Sequence, residues 1–356
     1  MPRNLRPCLD ENDLLGFAQV GAETLTAQIE EHIDQCDRCA HLVAEFAKVV
    51  SPFEGSGPSA GPPWRVHGDR VGRYRILGWI GRGGMGEVYE AEDPELGRRV
   101  ALKLVHTLGS AEHERRLLRE ANLMAQLAHP NVVAVHDAGS DQGRAFIAME
   151  LVDGVPLGEW CAQQRRSWVD VVDVFVQVGR GLAAAHAAKL VHRDIKPANV
   201  LIRANGRAQI ADFGLAWAVE DSAPLPTAEV SSPLGGPARL TQTGTLFGTP
   251  AYMSPEQHQG QRGDARSDQF SFCVSLYESV YGDRPFDGHT LRELMQTACQ
   301  GVIRREPEFT NVPSWLRQVL VRGLSFEPEH RFRDMLELLT ELRRGPRSPN
   351  DVASSG

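Results

Sequence analysis

Two short motifs near the middle of the chain constrain it most. They are Val191-His192-Arg193-Asp194-Ile195-Lys196-Pro197-Ala198-Asn199-Val200 and Ala211-Asp212-Phe213-Gly214. Both lie between apolar, strand-like runs, and they bring two aspartates and an asparagine within nineteen residues. Phosphoryl transfer needs this inventory: oxygen ligands for magnesium, a carboxylate to orient a hydroxyl, and a lysine facing the developing phosphate charge. Either motif alone also fits an ordinary Asp- and Asn-containing turn.

Upstream, Gly81-Arg82-Gly83-Gly84-Met85-Gly86-Glu87-Val88 fits G-x-G-x-x-G-x-V between two strands. Glycines let a backbone approach phosphate oxygens closely and permit positive φ. By itself the pattern also fits a plain hairpin turn. A dinucleotide-binding fold uses similar glycines but requires a helix directly after them, whereas Glu87-Val88-Tyr89-Glu90-Ala91 continues as strand. Fifteen residues past Val88, Val100-Ala101-Leu102-Lys103-Leu104 sets a lysine between apolar neighbours. A lysine buried in a strand is costly unless paired, and the helix containing Arg119-Glu120-Ala121 offers a carboxylate. The four motifs, in this order and at this spacing, specify a phosphotransferase site.

The surrounding pattern is that of two layers of different character. Short strands are expected at Tyr74 to Ile80, Val88 to Ala91 and Val100 to Val105, then a helix from about Glu112 to Leu127 and strand-like runs near Val132 and Phe146. The rest reads as mainly helical, at 168–188, 266–281, 290–300, 313–323 and 333–343. Strands followed by helices imply an α+β class with two lobes and a cleft between them.

With these motifs, residues 74–343 resemble a eukaryotic-type (Hanks-type) protein kinase domain. Ser254-Pro255-Glu256-Gln257, Arg266-Ser267-Asp268-Gln269-Phe270 and the Gly-Met-Gly-Glu-Val loop make the region most similar to bacterial serine/threonine kinases. The resemblance implies a bilobal kinase fold, with a small β-rich N-lobe over 74–150 and a helical C-lobe over 153–343. It implies ATP and Mg2+ (or Mn2+) as cofactors and Ser/Thr hydroxyls of proteins as acceptors. Gly81, Gly83 and Gly86 are then expected over the phosphates, with Lys103 on the α- and β-phosphates and paired with Glu120. Asp194 accepts the substrate hydroxyl's hydrogen bond, Lys196 lies near the γ-phosphate, and Asn199 and Asp212 hold magnesium. Met149 takes the gatekeeper position and Glu150 to Val152 that of the hinge facing adenine, which Val88, Ala101 and Leu201 sandwich. Met124, Val135, His192 and Phe213 are expected to stack between the lobes, anchored by Asp268, and Glu256 and Arg331 to form a buried ion pair. Lys196 two residues past Asp194, with Gly248-Thr249, resembles Ser/Thr rather than Tyr kinases. A rival reading, an ATP-binding pseudokinase scaffold that signals by conformation alone, has no need of Asp194 and Lys196 together.

The stretch from Asp212 to Glu256 is long for the family, and its Pro- and Gly-rich middle resists regular structure. Arg193 stands where the family uses a cation to receive an activation-loop phosphate, and Thr241, Thr243 and Thr245 are candidate acceptors. A phosphothreonine brings about 1.5–2 negative charges that an arginine can fix in place; the threonines also fit plain polar loop positions.

Residues 1–50 read as a compact helical module, 51–73 as a flexible linker and 344–356 as a polar tail. His32-Ile33-Asp34-Gln35-Cys36-Asp37-Arg38-Cys39 is H-x3-C-x2-C, with His32 and Cys36 one helical turn apart on a shared face. Three soft ligands at this spacing suit zinc. A metal-free helical pair and a redox dithiol at Cys36 and Cys39 fit the same residues. The layout is similar to the zinc-binding domain of anti-sigma factors, and only that resemblance implies Cys8 as fourth ligand and a regulatory protein partner for the module. Cys161, Cys273 and Cys299 sit in apolar or helical surroundings and are expected as buried thiols. With 38 basic against 46 acidic residues the net charge is -8, which disfavours nucleic acid and anionic membranes as partners. No run approaches the about 20 apolar residues of a membrane span, and no signal-peptide core follows the start. The expected compartment is the cytoplasm.

Overall fold

The computed structural model describes residues 67–83, 86–105, 111–213, 250–288, 291–307 and 310–344. The candidate zinc ligands Cys8, His32, Cys36 and Cys39, and Thr241, Thr243 and Thr245, lie outside them.

The first layer is an antiparallel sheet of β1 (Arg70–Val71), β2 (Tyr74–Gly83), β3 (Gly86–Asp93), β4 (Arg98–Val105), β5 (Val135–Asp141) and β6 (Arg144–Glu150), in the order β1-β2-β3-β4-β6-β5. The alternation of side chains along a strand divides it between two cores. Val100, Leu102 and Leu104 of β4, with Phe146 and Ala148 of β6, join Tyr74, Ile76 and Tyr89 in a small outer core. Ala101 and Val105 of β4, with Ala145, Ile147 and Met149 of β6, face the main core. Lys103 falls on this second face by the same period of two, which points the one charged side chain of the Val100–Val105 run toward the cleft.

Residues 67–73 depart from the expected linker. Arg70 and Val71 pair with Arg75 and Tyr74, and Val71 is 1% exposed in the outer core. One valine amid polar residues leaves no period in the sequence, so only tertiary packing reveals the strand. The strand-like run near Val132 is also displaced. Val132 makes an isolated parallel bridge to Ile210, and the regular strand starts at Val135.

Helix α1 (Ala111–Ala125) inserts Leu117, Ala121 and Met124 into the main core, a spacing of four and three that keeps them on one face. After β6 come β7 (Gly154–Pro156), α2 (Leu157–Gln163) and α3 (Trp168–Ala187). Ser167 and Asp170 close a reciprocal capping box at the start of α3. Strands β8 (Val200–Arg203) and β9 (Ala208–Ile210) complete a three-stranded sheet in the order β7-β8-β9. The remaining helices are α4 (Pro255–His258), α5 (Ala265–Tyr281), α6 (Leu291–Gln300), α7 (Ser314–Gly323) and α8 (Met335–Arg344). Helix α5 is capped by the Asp264 side chain and ended by Gly282 at φ 85°, and it is buried through most of its length. Glycine is favoured at that left-handed C-terminal position because it carries no Cβ.

Cys273 is buried as expected, and burial pushes its thiol up to about 12. Cys161 and Cys299 are only half-buried. Both lie on amphipathic helices, so the apolar neighbours in sequence do not all become neighbours in space.

Candidate active site

The loop before β8 is hung from one buried carboxylate. Asp268 of α5, 0% exposed, accepts the backbone N–H of His192 at 2.8 Å and of Arg193 at 2.7 Å. It also takes His186 Nε2 of α3 at 2.7 Å. Burial alone would raise its pKa, but these donors outweigh that and hold it below the usual carboxylate range. Arg193 adopts φ 65°, a conformation that costs about 1–3 kcal/mol outside glycine and persists only where surroundings over-determine it. The pair of bonds to Asp268 supplies that constraint.

Asp194, next along the loop, is gripped from two sides. Lys196 Nζ donates to Asp194 Oδ2 at 2.8 Å, and Asn199 Nδ2 donates to the same oxygen at 3.1 Å and to the Asp194 carbonyl at 2.8 Å. The Asn199 amide nitrogen is thus committed to Asp194. His192 is fully buried, and burial holds its imidazole below the usual pKa although Asp268 pulls the other way. Its partners set the tautomer of the neutral ring. Nε2–H donates to the Ala211 carbonyl at 2.9 Å, while bare Nδ1 accepts the Asp194 N–H at 3.3 Å. The ring also lies 4.6 Å from that of Phe213. Met124, Val135 and Phe213, three of the residues expected to stack, line one small cavity with Ile147 and Met149.

Asp212 has φ 57°, which swings its carboxylate toward β4, where Lys103 Nζ meets Oδ1 at 2.8 Å. Burial disfavours the Asp212 anion, but the Lys103 charge prevails and keeps the group below its ordinary pKa. Lys103 was expected to pair with Glu120. The ion pairs formed differ: Asp212 takes Lys103, and Glu120 on α1 meets Arg262, from the loop before α5, at 3.3 Å.

Above the slot, Ala101 sits opposite Met149 and Val88 opposite Lys103 in register. Val88, Val152 and Leu201 pack half-buried against the main core that holds Ala101. At the glycine hairpin, neither Gly81 nor Gly86 has a positive φ. A Cβ on Gly86 would fall 1.9 Å from the Leu104 carbonyl, whereas one on Gly81 would meet nothing within 4 Å. Gly86 is therefore required by the sheet itself, and Gly81 is free for close approach from outside. Arg82 and Glu87, paired across the hairpin, join their side chains at 2.9 Å. Glu256 and Arg331 form the expected buried pair, with two contacts of 2.8 Å.

Sequence reasoning missed His186, Arg203, Gln209 and Glu87. Each is a common polar residue without a motif of its own, and only the partner across space marks it. Among the described residues no three His, Cys, Asp or Glu side chains converge as a metal site. The oxygen donors of Asn199 and Asp212 are of the type that fits Mg2+, a hard cation usually held by one or two protein oxygens and completed by phosphate and water.

The protein kinase domain family matches residues 74–341. The chain belongs to the protein kinase family. Among relatives, the kinase region is 38% identical over 290 residues to the serine/threonine-protein kinase PknA of Mycobacterium tuberculosis, covering 78% of this chain and 63% of that protein. It is 33% identical over 280 residues to a probable serine/threonine-protein kinase PknB of Lactococcus lactis, covering 76% of this chain and 41% of that protein. The chain thus spans less than two thirds of the length of these relatives. A crystal structure of the Mycobacterium tuberculosis PknI kinase domain superposes with a TM-score of 0.59 at 26% identity, covering 78% of this chain and 98% of that one.

Proposed function

We propose that this kinase transfers the γ-phosphate of ATP to serine and threonine hydroxyls of proteins in bacterial signalling. The observations that carry the reading are the Asp194 carboxylate, bonded by Lys196 and Asn199, and the Asp212 carboxylate, ion-paired to Lys103. Asp194 orients the acceptor hydroxyl and takes its proton as the hydroxyl oxygen bonds to the γ-phosphorus and the bond from that phosphorus to the ADP oxygen breaks, releasing ADP. Lys196, within reach of the same oxygen, answers the charge that develops on the transferred group. Asn199 and Asp212 would hold magnesium, which would supply neutralisation of phosphate charge there. The adenine lies between Val88 and Ala101 above and Leu201 below, with Met149, Glu150 and Val152 at its edge, and Gly81, Gly83 and Gly86 cover the phosphates. In the transfer-competent arrangement Lys103 faces the α- and β-phosphates and pairs with Glu120.

Autophosphorylation falls on Thr241, Thr243 or Thr245, with Arg193 receiving the phosphate. Residues 1–50 bind one zinc through His32, Cys36, Cys39 and Cys8 and present a surface to a regulatory protein. The site of action is the cytoplasm. Incubating the protein with labelled ATP, magnesium and generic acceptors, then mapping phosphosites by mass spectrometry, tests the activity. Transfer to Ser or Thr is expected, and its absence would count for the scaffold reading. Elemental analysis of protein purified without chelators tests the zinc.

A further inference from the structure

The proposed adenine slot is bounded by strands of two different sheets, β6 leading into the hinge and β8 beneath. A closed triangle of polar side chains joins them. Arg203 of β8 donates Nε–H to Gln209 Oε1 at 2.5 Å and a terminal N–H to Glu150 Oε1, while Gln209 Nε2 donates to Glu150 Oε2 at 3.1 Å. Each member therefore touches the other two, and both oxygens of Glu150 are engaged.

The triangle is wired to the slot by register. Gln209 stands directly opposite Leu201 in the β8–β9 pair, and Leu201 and Arg203 are two apart on β8. Cross-strand partners and i, i+2 residues share one face of a sheet, so Leu201, Arg203 and Gln209 lie on the face that floors the adenine. Glu150 directly follows Met149 and ends β6. Its backbone N–H is committed to the Ala134 carbonyl at 2.8 Å, so a move of its side chain carries the hinge strand with it. Gln209 is 3% exposed, which shields one corner of the triangle from water. A lone pair at the exposure of Arg203 and Glu150 would contribute little. A charge-assisted ring with a buried amide has a defined geometry.

We propose that Arg203 and Gln209 are positioning residues for the nucleotide, a clasp that fixes the spacing between the hinge at Glu150 and the slot floor at Leu201. The inference rests on the kinase reading. Its test compares wild-type protein with Arg203→Met, Arg203→Lys and Gln209→Met, measuring ATP KM, kcat, acceptor KM, ADP affinity by calorimetry, and the melting temperature. In Arg203→Met the ATP KM and the ADP Kd rise about three- to tenfold, with kcat and acceptor KM within about twofold, the signature of lost uniform binding. Arg203→Lys recovers at least half of the loss, and Gln209→Met, close in volume, shifts ADP affinity in the same direction even where Arg203→Met folds poorly. Unmoved ATP KM and ADP Kd in these variants, whatever the melting temperature does, overturn the clasp. Wild-type protein that neither binds ADP nor transfers phosphate overturns the kinase reading and the clasp with it.

Discussion

The two halves of the site are held in place by different physics. Below the cleft, Asp194 and its neighbours hang from Asp268, which is 0% exposed and accepts two backbone N–H groups and an imidazole within 2.8 Å. Above it, Glu120 meets Arg262 at 3.3 Å, with side chains 25% and 48% exposed. Removing one partner from a buried charged network costs about 3–5 kcal/mol, whereas an exposed pair is worth about 0–1 kcal/mol. The lower half is therefore fixed and the upper half adjustable. The carboxylate proposed to orient a hydroxyl, Asp194, sits on the fixed part, whereas Glu120, the proposed partner of Lys103, sits on the adjustable one.

The largest expected effect breaks the fixed half at its chemical centre. Asp194→Asn keeps the shape of the side chain and its bond from Asn199 but removes the acceptor of the hydroxyl proton. Phosphotransfer falls about 10²- to 10⁴-fold, the range of a lost general base, while ADP affinity stays within about threefold. Single-turnover kinetics beside calorimetry separates the two. Full autophosphorylation in this variant would place the chemistry elsewhere.

Next in size is the scaffold of the same half. Arg331, 2% exposed, meets Glu256 twice at 2.8 Å and donates to the carbonyls of Arg266, Ser325 and Phe326. Arg331→Ala leaves the Glu256 charge buried without its partner and costs about 3–5 kcal/mol of unfolding free energy. Urea titration of the purified protein measures it. A loss under about 1 kcal/mol would mean that the lower half is no better anchored than the upper.

How much of this was legible in the sequence follows the same division. The motif residues Asp194, Asn199 and Asp212 are close in the chain and their chemistry is local, so their grouping could be read directly. The Glu256–Arg331 pair came from resemblance and is found in the fold; of the stack expected from the same source, the fold shows His192 against Phe213, and Met124, Val135 and Phe213 around one cavity. The same resemblance set Lys103 against Glu120; in the fold Lys103 is ion-paired with Asp212, which has φ 57°, and Glu120 meets Arg262, a cation 142 residues beyond it, and neither contact has a local sequence signal. Burial periods located most helices, whereas β1 and the triangle at Glu150 depend on contacts that no local pattern encodes.

A smaller effect appears with pH, again in the lower half. His258 of α4 is 7% exposed, and burial lowers its pKa to about 4, against a weaker opposing pull from Glu256. An unfolded histidine titrates near about 6.5. The unfolded chain therefore binds the proton first as pH falls. The contribution is fully present above about 6.5 and is lost progressively toward pH 4, amounting to about 3 kcal/mol across that window. His258→Gln flattens this part of the acid limb in thermal melts between pH 7 and pH 4. An unchanged slope would mean that His258 takes its proton in the folded state as readily as in the unfolded chain.

The smallest effect sharpens the comparison most, because it tests the adjustable half without touching the residues proposed for transfer. Arg262 meets Glu120 in a partly exposed ion pair at 3.3 Å, so Arg262→Ala loosens the hold on Glu120 at little cost in stability. If pairing of Glu120 with Lys103 accompanies transfer, removing its competitor shifts the population toward that pairing. The pair is worth at most about 1 kcal/mol, which at RT of about 0.59 kcal/mol bounds the shift at roughly fivefold. Unphosphorylated Arg262→Ala protein is therefore expected to transfer phosphate about two- to fivefold faster than wild type, with an unchanged melting temperature. Salt supplies an independent check. Raising ionic strength screens an exposed pair, so the wild-type rate should climb toward that of the variant while the variant's own rate responds less. A slower variant would show that Arg262 supports the productive arrangement of α1. An equal rate at every salt concentration would show that the contact exerts no hold on it.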